Sequence, residues 1–264
     1  IGDLEGLGVT YDYLGVTYAK LGRYQQAEDA LRRRLGVART RDDFQGQIYG
    51  LNNLATVLLQ AGNFETAQEL LAQALTIARS VNNQEGEGLT LSNVGLLAAT
   101  RGNHFEAIKR YEAALKLRSR AGDSLGEANT RNNLGDAQRA VNRYREAVIS
   151  YRDALLLAEN SRDIRNHFRA LRGLAQSYGE LGEYPLAFHS INQHTALAQK
   201  ENNRVEEMLS LRLSARLFQA TGNLANARDY YEQAIVLAGY LGDTQQEALL
   251  RNDLAQIIYQ RTSR

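Results

Sequence analysis

Apolar and small residues return along this chain at a fixed interval of 40 positions. The segments Gly22-Arg23-Tyr24, Gly62-Asn63-Phe64, Gly102-Asn103-His104, Asn142-Arg143-Tyr144, Gly182-Glu183-Tyr184 and Gly222-Asn223-Leu224 follow one another at that spacing. Three residues after each aromatic-type position stands an alanine: Ala27, Ala67, Ala107, Ala147, Ala187 and Ala227. Upstream lies an apolar residue followed by Gly or Ala, as Leu14-Gly15, Leu54-Ala55, Val94-Gly95, Leu134-Gly135, Leu174-Ala175 and Leu254-Ala255, with Ser214-Ala215 the departure. A period carried this far without insertion marks a repeat array whose units bury their apolar faces on one another.

The polar punctuation sets the element boundaries. Helices commonly end on a residue in the left-handed backbone region, where Gly is free of strain and Asn is the next most tolerant. Gly22, Gly62, Gly102, Asn142, Gly182 and Gly222 fit that position. Asp3, Asp43, Asn83, Asp123, Asp163, Asn203 and Asp243 are all side chains that cap a helix start. The spacing therefore predicts a first helix of each unit, helix A, near 4–21, 44–61, 84–101, 124–141, 164–181, 204–221 and 244–260. A second, helix B, falls near 24–39, 64–79, 104–119, 144–159, 184–199 and 224–239. Pro185 sits in a first turn, where proline is tolerated. The small residues Gly15, Gly95 and Gly135 let helix A approach helix B, and Leu31, Leu71, Tyr111, Tyr151, Ile191 and Tyr231 fill the facing layer.

Composition agrees with thirteen helices and nothing else. The 264 residues include one Pro and no Cys or Trp. The 22 Gly residues would be costly inside helices, at about 1 kcal/mol each relative to Ala, but many fall at turns and close contacts. Without Cys there is neither a disulfide framework nor a thiolate metal site. Formal charge is +1, from 31 basic and 30 acidic residues, which disfavours nucleic acid and anionic membrane as partners. No apolar run is long enough to insert into a membrane. The opening at Ile1 shows no signal-peptide pattern, so the chain reads as a trimmed piece or processed product, with a cytoplasmic location expected.

Leu14-Gly15-x-x-Tyr18 followed by Gly22-Arg23-Tyr24-x-x-Ala27 closely resembles the signature of the tetratricopeptide repeat family. The family's common repeat is about 34 residues, and its final Pro is missing here. A longer unit with Gly-Asp/Asn-x-x-Gly-Glu, as in Gly122-Asp123-Ser124-Leu125-Gly126-Glu127, is similar to the Pins/LGN spindle adaptor, kinesin light chain and bacterial regulatory arrays. The Gly-x-aromatic-x-x-Ala pattern argues against HEAT and armadillo repeats, which share the period. The resemblance implies an all-α, right-handed superhelical solenoid of about six and a half helix-turn-helix repeats. They form a single array with units near 1–40, 41–80, 81–120, 121–160, 161–200 and 201–240 and a final unpaired helix in 241–264.

It also implies a concave groove lined by helix A that holds a segment of another protein. The position before the Leu reads Tyr13, Asn53, Asn93, Asn133, Gly173, Leu213 and Asp253. Asn is a mediocre helix former, but its amide offers a donor and an acceptor to a peptide backbone. Asn53, Asn93 and Asn133 match the family's peptide-gripping position. Tyr49, Asn52, Thr56, Asn129, Asn132, Asp136 and Arg139 are further groove candidates. In the later repeats Arg169, Arg172, Arg212 and Arg216 suit an acidic ligand, with Asp136, Glu180 and Asp253 as internal competitors. The four His are dispersed and read as structural, no phosphate-cradling loop occurs, and neither catalysis nor a cofactor is expected. The expected function is a non-enzymatic protein-interaction scaffold. The alternative is a sensory or regulatory arm of a larger signalling protein. RNA recognition is disfavoured by charge.

Overall fold

The computed structural model describes residues 3–262, and over this span the chain is all helix, with no strand among the described residues. Thirteen helices follow in order: α1 (Leu4–Lys20), α2 (Tyr24–Thr40), α3 (Phe44–Gln60), α4 (Phe64–Ser80), α5 (Gln84–Thr100), α6 (His104–Ala121) and α7 (Ser124–Ala140). The rest are α8 (Tyr144–Ser161), α9 (Ile164–Glu180), α10 (Tyr184–Lys200), α11 (Arg204–Ala220), α12 (Leu224–Leu241) and α13 (Thr244–Thr262). The odd-numbered helices are the A helices of the repeat and the even-numbered ones its B helices. They form two compact units, residues 1–141 and 142–264.

Each boundary has a local cause. Asp3, Asp43, Asn83, Asp123, Asp163, Asn203 and Asp243 all accept a hydrogen bond from the backbone N–H three residues on, which satisfies an orphan donor of the helix start. Between A and B helices, Gly22, Gly62, Gly102, Gly182 and Gly222 have positive φ, and Asn142 takes the same conformation at φ 60°. A second left-handed column, which the sequence reading missed, lies between B and the next A: Asp42, Asn82, Gly122, Arg162, Asn202 and Gly242. The signal was weaker because only two of the six are glycine.

Within the first unit each helix packs on the next in sequence, and the A helices α1, α3, α5 and α7 also touch in succession. The second unit repeats this, with α9 against α11. The alanine column is fully buried throughout. Gly15 and Gly95 are small because of what faces them. A Cβ at Gly15 would lie 2.5 Å from the Leu31 side chain, and one at Gly95 would lie 2.7 Å from the Tyr111 ring. The buried Tyr111 and Tyr151 sit against Gly95 and Gly173 of their neighbours, the interdigitation that close packing requires.

Candidate functional site

A helix whose neighbours cover two sides leaves a narrow third face. On α3 this face carries Tyr49, Asn53 and Thr56, all half-buried, and the same registers on α5 carry Leu89, Asn93 and Leu96. On α7 they are Asn129, Asn133 and Asp136, and on α1 they are Val9, Tyr13 and Val16. Tyr13 is 74% exposed and Val9 49%, an apolar start to a face that continues with amides. The Tyr49 hydroxyl donates to Glu85, and burial followed by that carboxylate pushes its pKa up to about 12.

Asn52 and Asn132 require a correction. They are 1% and 0% exposed, so neither amide is on an open groove. Asn52 Nδ2 donates to the Ile48 carbonyl at 2.8 Å and to Thr90 Oγ1 on the next A helix at 2.9 Å. The same register repeats as a polar seam between successive A helices. Ser92 meets Thr130 at 3.1 Å, Arg172 Nη1 reaches Glu206 at 3.0 Å, and Arg212 Nη1 reaches Gln246 at 3.4 Å. Positions 52 and 53, like 132 and 133, are adjacent registers only about a quarter turn apart on the helix, so one faces the seam and the other the groove. Arg139, one turn beyond Asp136 on α7, is half-buried, with its Nε enclosed and making no hydrogen bond.

Asn93 belongs partly to the seam, because its Nδ2 donates to Asn52 Oδ1 at 2.8 Å. Thr56 turns its hydroxyl back on the Asn52 carbonyl of its own helix at 2.9 Å. Among the described residues the Asn53 side-chain amide has no partner. At Gly173, in the same register as Asn53, a Cβ would lie 2.3 Å from the Tyr151 ring, so α9 has no room there for an amide.

In the second unit the arginines face carboxylates. Arg172 pairs with Glu206 at 3.0 Å, and Asp253 holds both Arg212 at 2.9 Å and Arg216 at 3.3 Å. Asp253 was foreseen as a competitor; Glu206, from the first turn of α11, was not. Burial pushes the Glu206 carboxyl up, but the adjoining His194 ring and the Arg172 charge outweigh it and leave the pKa lowered. Arg169, half-buried on α9, is in the register of Tyr49 and makes an interaction of its own. His194 is 0% exposed, with Nδ1 2.6 Å from Ser210 Oγ and Nε2 3.2 Å from Glu206 Oε2. This Ser-His-Glu trio has the composition of a nucleophilic site, but Ser210 is buried as fully as His194 and no substrate atom could reach it. Among the described residues no group of three or more His, Cys, Asp or Glu could hold a metal ion. Nor is any helix long and apolar enough to cross a membrane.

Two sequence models of the tetratricopeptide repeat match the chain, one over residues 10–43 and the other over residues 47–104 and 86–160. No curated protein matches it in sequence. Among solved structures it is similar to a Rap protein complexed with competence and sporulation factor, with a TM-score of 0.70 at 15% identity, covering 97% of this chain and 76% of that one. It is also similar to the STAND signal-transduction ATPase PH0952 from Pyrococcus horikoshii, which has a tetratricopeptide repeat sensor. There the TM-score is 0.70 at 17% identity, over 95% of this chain and 39% of the other. A putative kinesin light chain from Podosopora anserina gives a TM-score of 0.65 at 19% identity, over 74% and 96%.

Proposed function

Since the chain belongs to the tetratricopeptide repeat family, we propose that it works by holding a segment of a partner protein against the free face of its A helices. The observation that carries this reading is the face itself. Apolar residues exposed together mark interaction surfaces, and here Val9, Tyr13 and Val16 are exposed together on α1. Beside them, Asn53 on α3 presents an amide with no partner among the described residues. Among fold neighbours, one is named as a complex with a factor and another as carrying a repeat sensor, uses that suit this face. An acidic partner draws little support, because Arg172, Arg212 and Arg216 already have carboxylates. No catalytic step is proposed.

The test is affinity capture with three forms of the protein: the parent, Tyr13→Ala/Asn53→Ala, and Gln73→Ala, which alters an exposed residue of a B helix. A partner retained by the parent and by Gln73→Ala but lost by the double variant supports the reading. Partners retained equally by all three forms contradict it.

A further inference from the structure

The B helices of the second unit are unlike one another on their outer side. They follow in the order α8, α10, α12, with α9 between the first two and α11 between the last two. On α8 the outward stripe alternates cation and aliphatic, as Arg145, Ile149, Arg152 and Leu156, all exposed and one turn apart. Neither arginine has an ion pair or hydrogen bond among the described residues. On α12 the stripe is acidic and apolar, as Asp229, Glu232, Val236 and Tyr240, again all exposed. Asp229 has no ion pair or hydrogen bond among the described residues, and Glu232 holds the exposed Arg228 through Oε1. Between them α10 shows His189, Asn192 and Ala196, with no carboxylate, lysine or arginine on the stripe.

The repeat itself does not demand this pattern, since the positions on α4 equivalent to the α8 stripe are Glu65, Glu69, Ala72 and Thr76. Yet the four most exposed large apolar side chains described in the second unit, Tyr240, Val236, Ile149 and Leu156, all lie on the α8 and α12 stripes. Apolar residues gathered in this way mark interaction surfaces.

One arrangement answers both stripes at once. A twofold axis running along α10 lays α10 on its own copy, α8 on the partner's α12 and α12 on the partner's α8. Such an axis preserves helix direction, so equivalent positions two repeats apart meet. Arg152 then faces the partner's Glu232, and Leu156 faces the partner's Val236. Arg145 and Arg152 lie one turn to either side of the partner's Asp229. We propose that two copies of this chain pair through the B-helix face of the second unit, as a twofold dimer held by α8 on the partner's α12. An unrelated protein would have to match a basic stripe and an acidic one flanking a neutral one, whereas a second copy does so by symmetry. A face three helices wide and about 26 Å long has the scale a stable pair needs, about 800 Å² from each partner. The pairing is independent of what the A-helix face holds.

Sedimentation velocity of the intact chain over a wide concentration range tests it. The expected result is a concentration-dependent dimer that weakens with added salt. Arg152→Glu and Glu232→Arg each set like charges together in both symmetric contacts, and each should weaken the dimer by at least about tenfold. Mixed in equal amounts, the two variants should recover it, because each supplies the charge the other now requires. Leu156→Ser should weaken it about tenfold with the helical circular dichroism unchanged, since most of that side chain lies in solvent. A chain that stays monomeric at every concentration overturns the proposal. So does a dimer indifferent to Arg152→Glu and Leu156→Ser, or a pair of weakened variants that mixing fails to rescue.

Discussion

Arg162 sits in the left-handed region at φ 55°, a conformation that costs an L-residue other than Gly, Asn or Asp about 1–2 kcal/mol. Gly122 and Gly242 occupy the same place in other repeats. Arg162→Gly is therefore expected to raise stability by about 0.5–1 kcal/mol despite the greater freedom it gives the unfolded chain. Thermal unfolding checks this, and a lowered midpoint would contradict it. At Glu206 the lowered pKa has a definite sign in stability. A depressed carboxyl contributes stability above its ordinary titration range, and loses it as pH falls through the folded value. The parent should lose stability over the acid side of that range, and Glu206→Gln should lose less there while being less stable near neutrality. Denaturant unfolding at several pH values gives the answer; identical slopes for the two proteins would mean that Glu206 is not held by His194 and Arg172.

Between helices, the contacts divide into those that shape the fold and those left for a ligand. Ala147 is fully buried beside Tyr151 and Leu174, so Ala147→Leu should overpack the α8–α9 contact and cost about 1–3 kcal/mol. Equal stability would show that this column tolerates volume. Adjacent asparagines on α3 should behave oppositely. Asn52→Ala strips partners from Thr90 and Asn93 in the interior and is expected to cost about 1–3 kcal/mol. Asn53→Ala removes an amide with no partner among the described residues and replaces it with a better helix former, so stability should hold or rise slightly. Urea titration of the two variants separates them, and a destabilised Asn53→Ala would place that amide in the fold. The sequence could not distinguish these neighbours. Both are Asn, both repeat at 40 residues, and only the crossing of one A helix over the next decides which points inward.

At the scale of the whole chain, what was legible was whatever repeats. The 40-residue period, the caps and the left-handed turn after each A helix gave helix boundaries within about two residues. Hidden from it were interactions made once. Glu206 meeting Arg172 and His194, and Asp253 serving two arginines, are specific to their helices and leave no periodic trace. The basic half of the groove therefore read as a ligand site, although its charge is largely answered from within. Because repeat proteins gain stability from neighbouring units, unfolding should proceed through partly folded arrays. Hydrogen exchange showing one cooperative opening for all thirteen helices would contradict this.

The central claim is that a partner segment lies on the A-helix face. A photo-crosslinking amino acid placed at position 53, on α3, or at exposed position 73, on α4, tests it most directly, with the captured partner as the probe. The account predicts a covalent adduct from position 53 and none from position 73. Crosslinking from position 73 alone would put the partner on the B helices and contradict it.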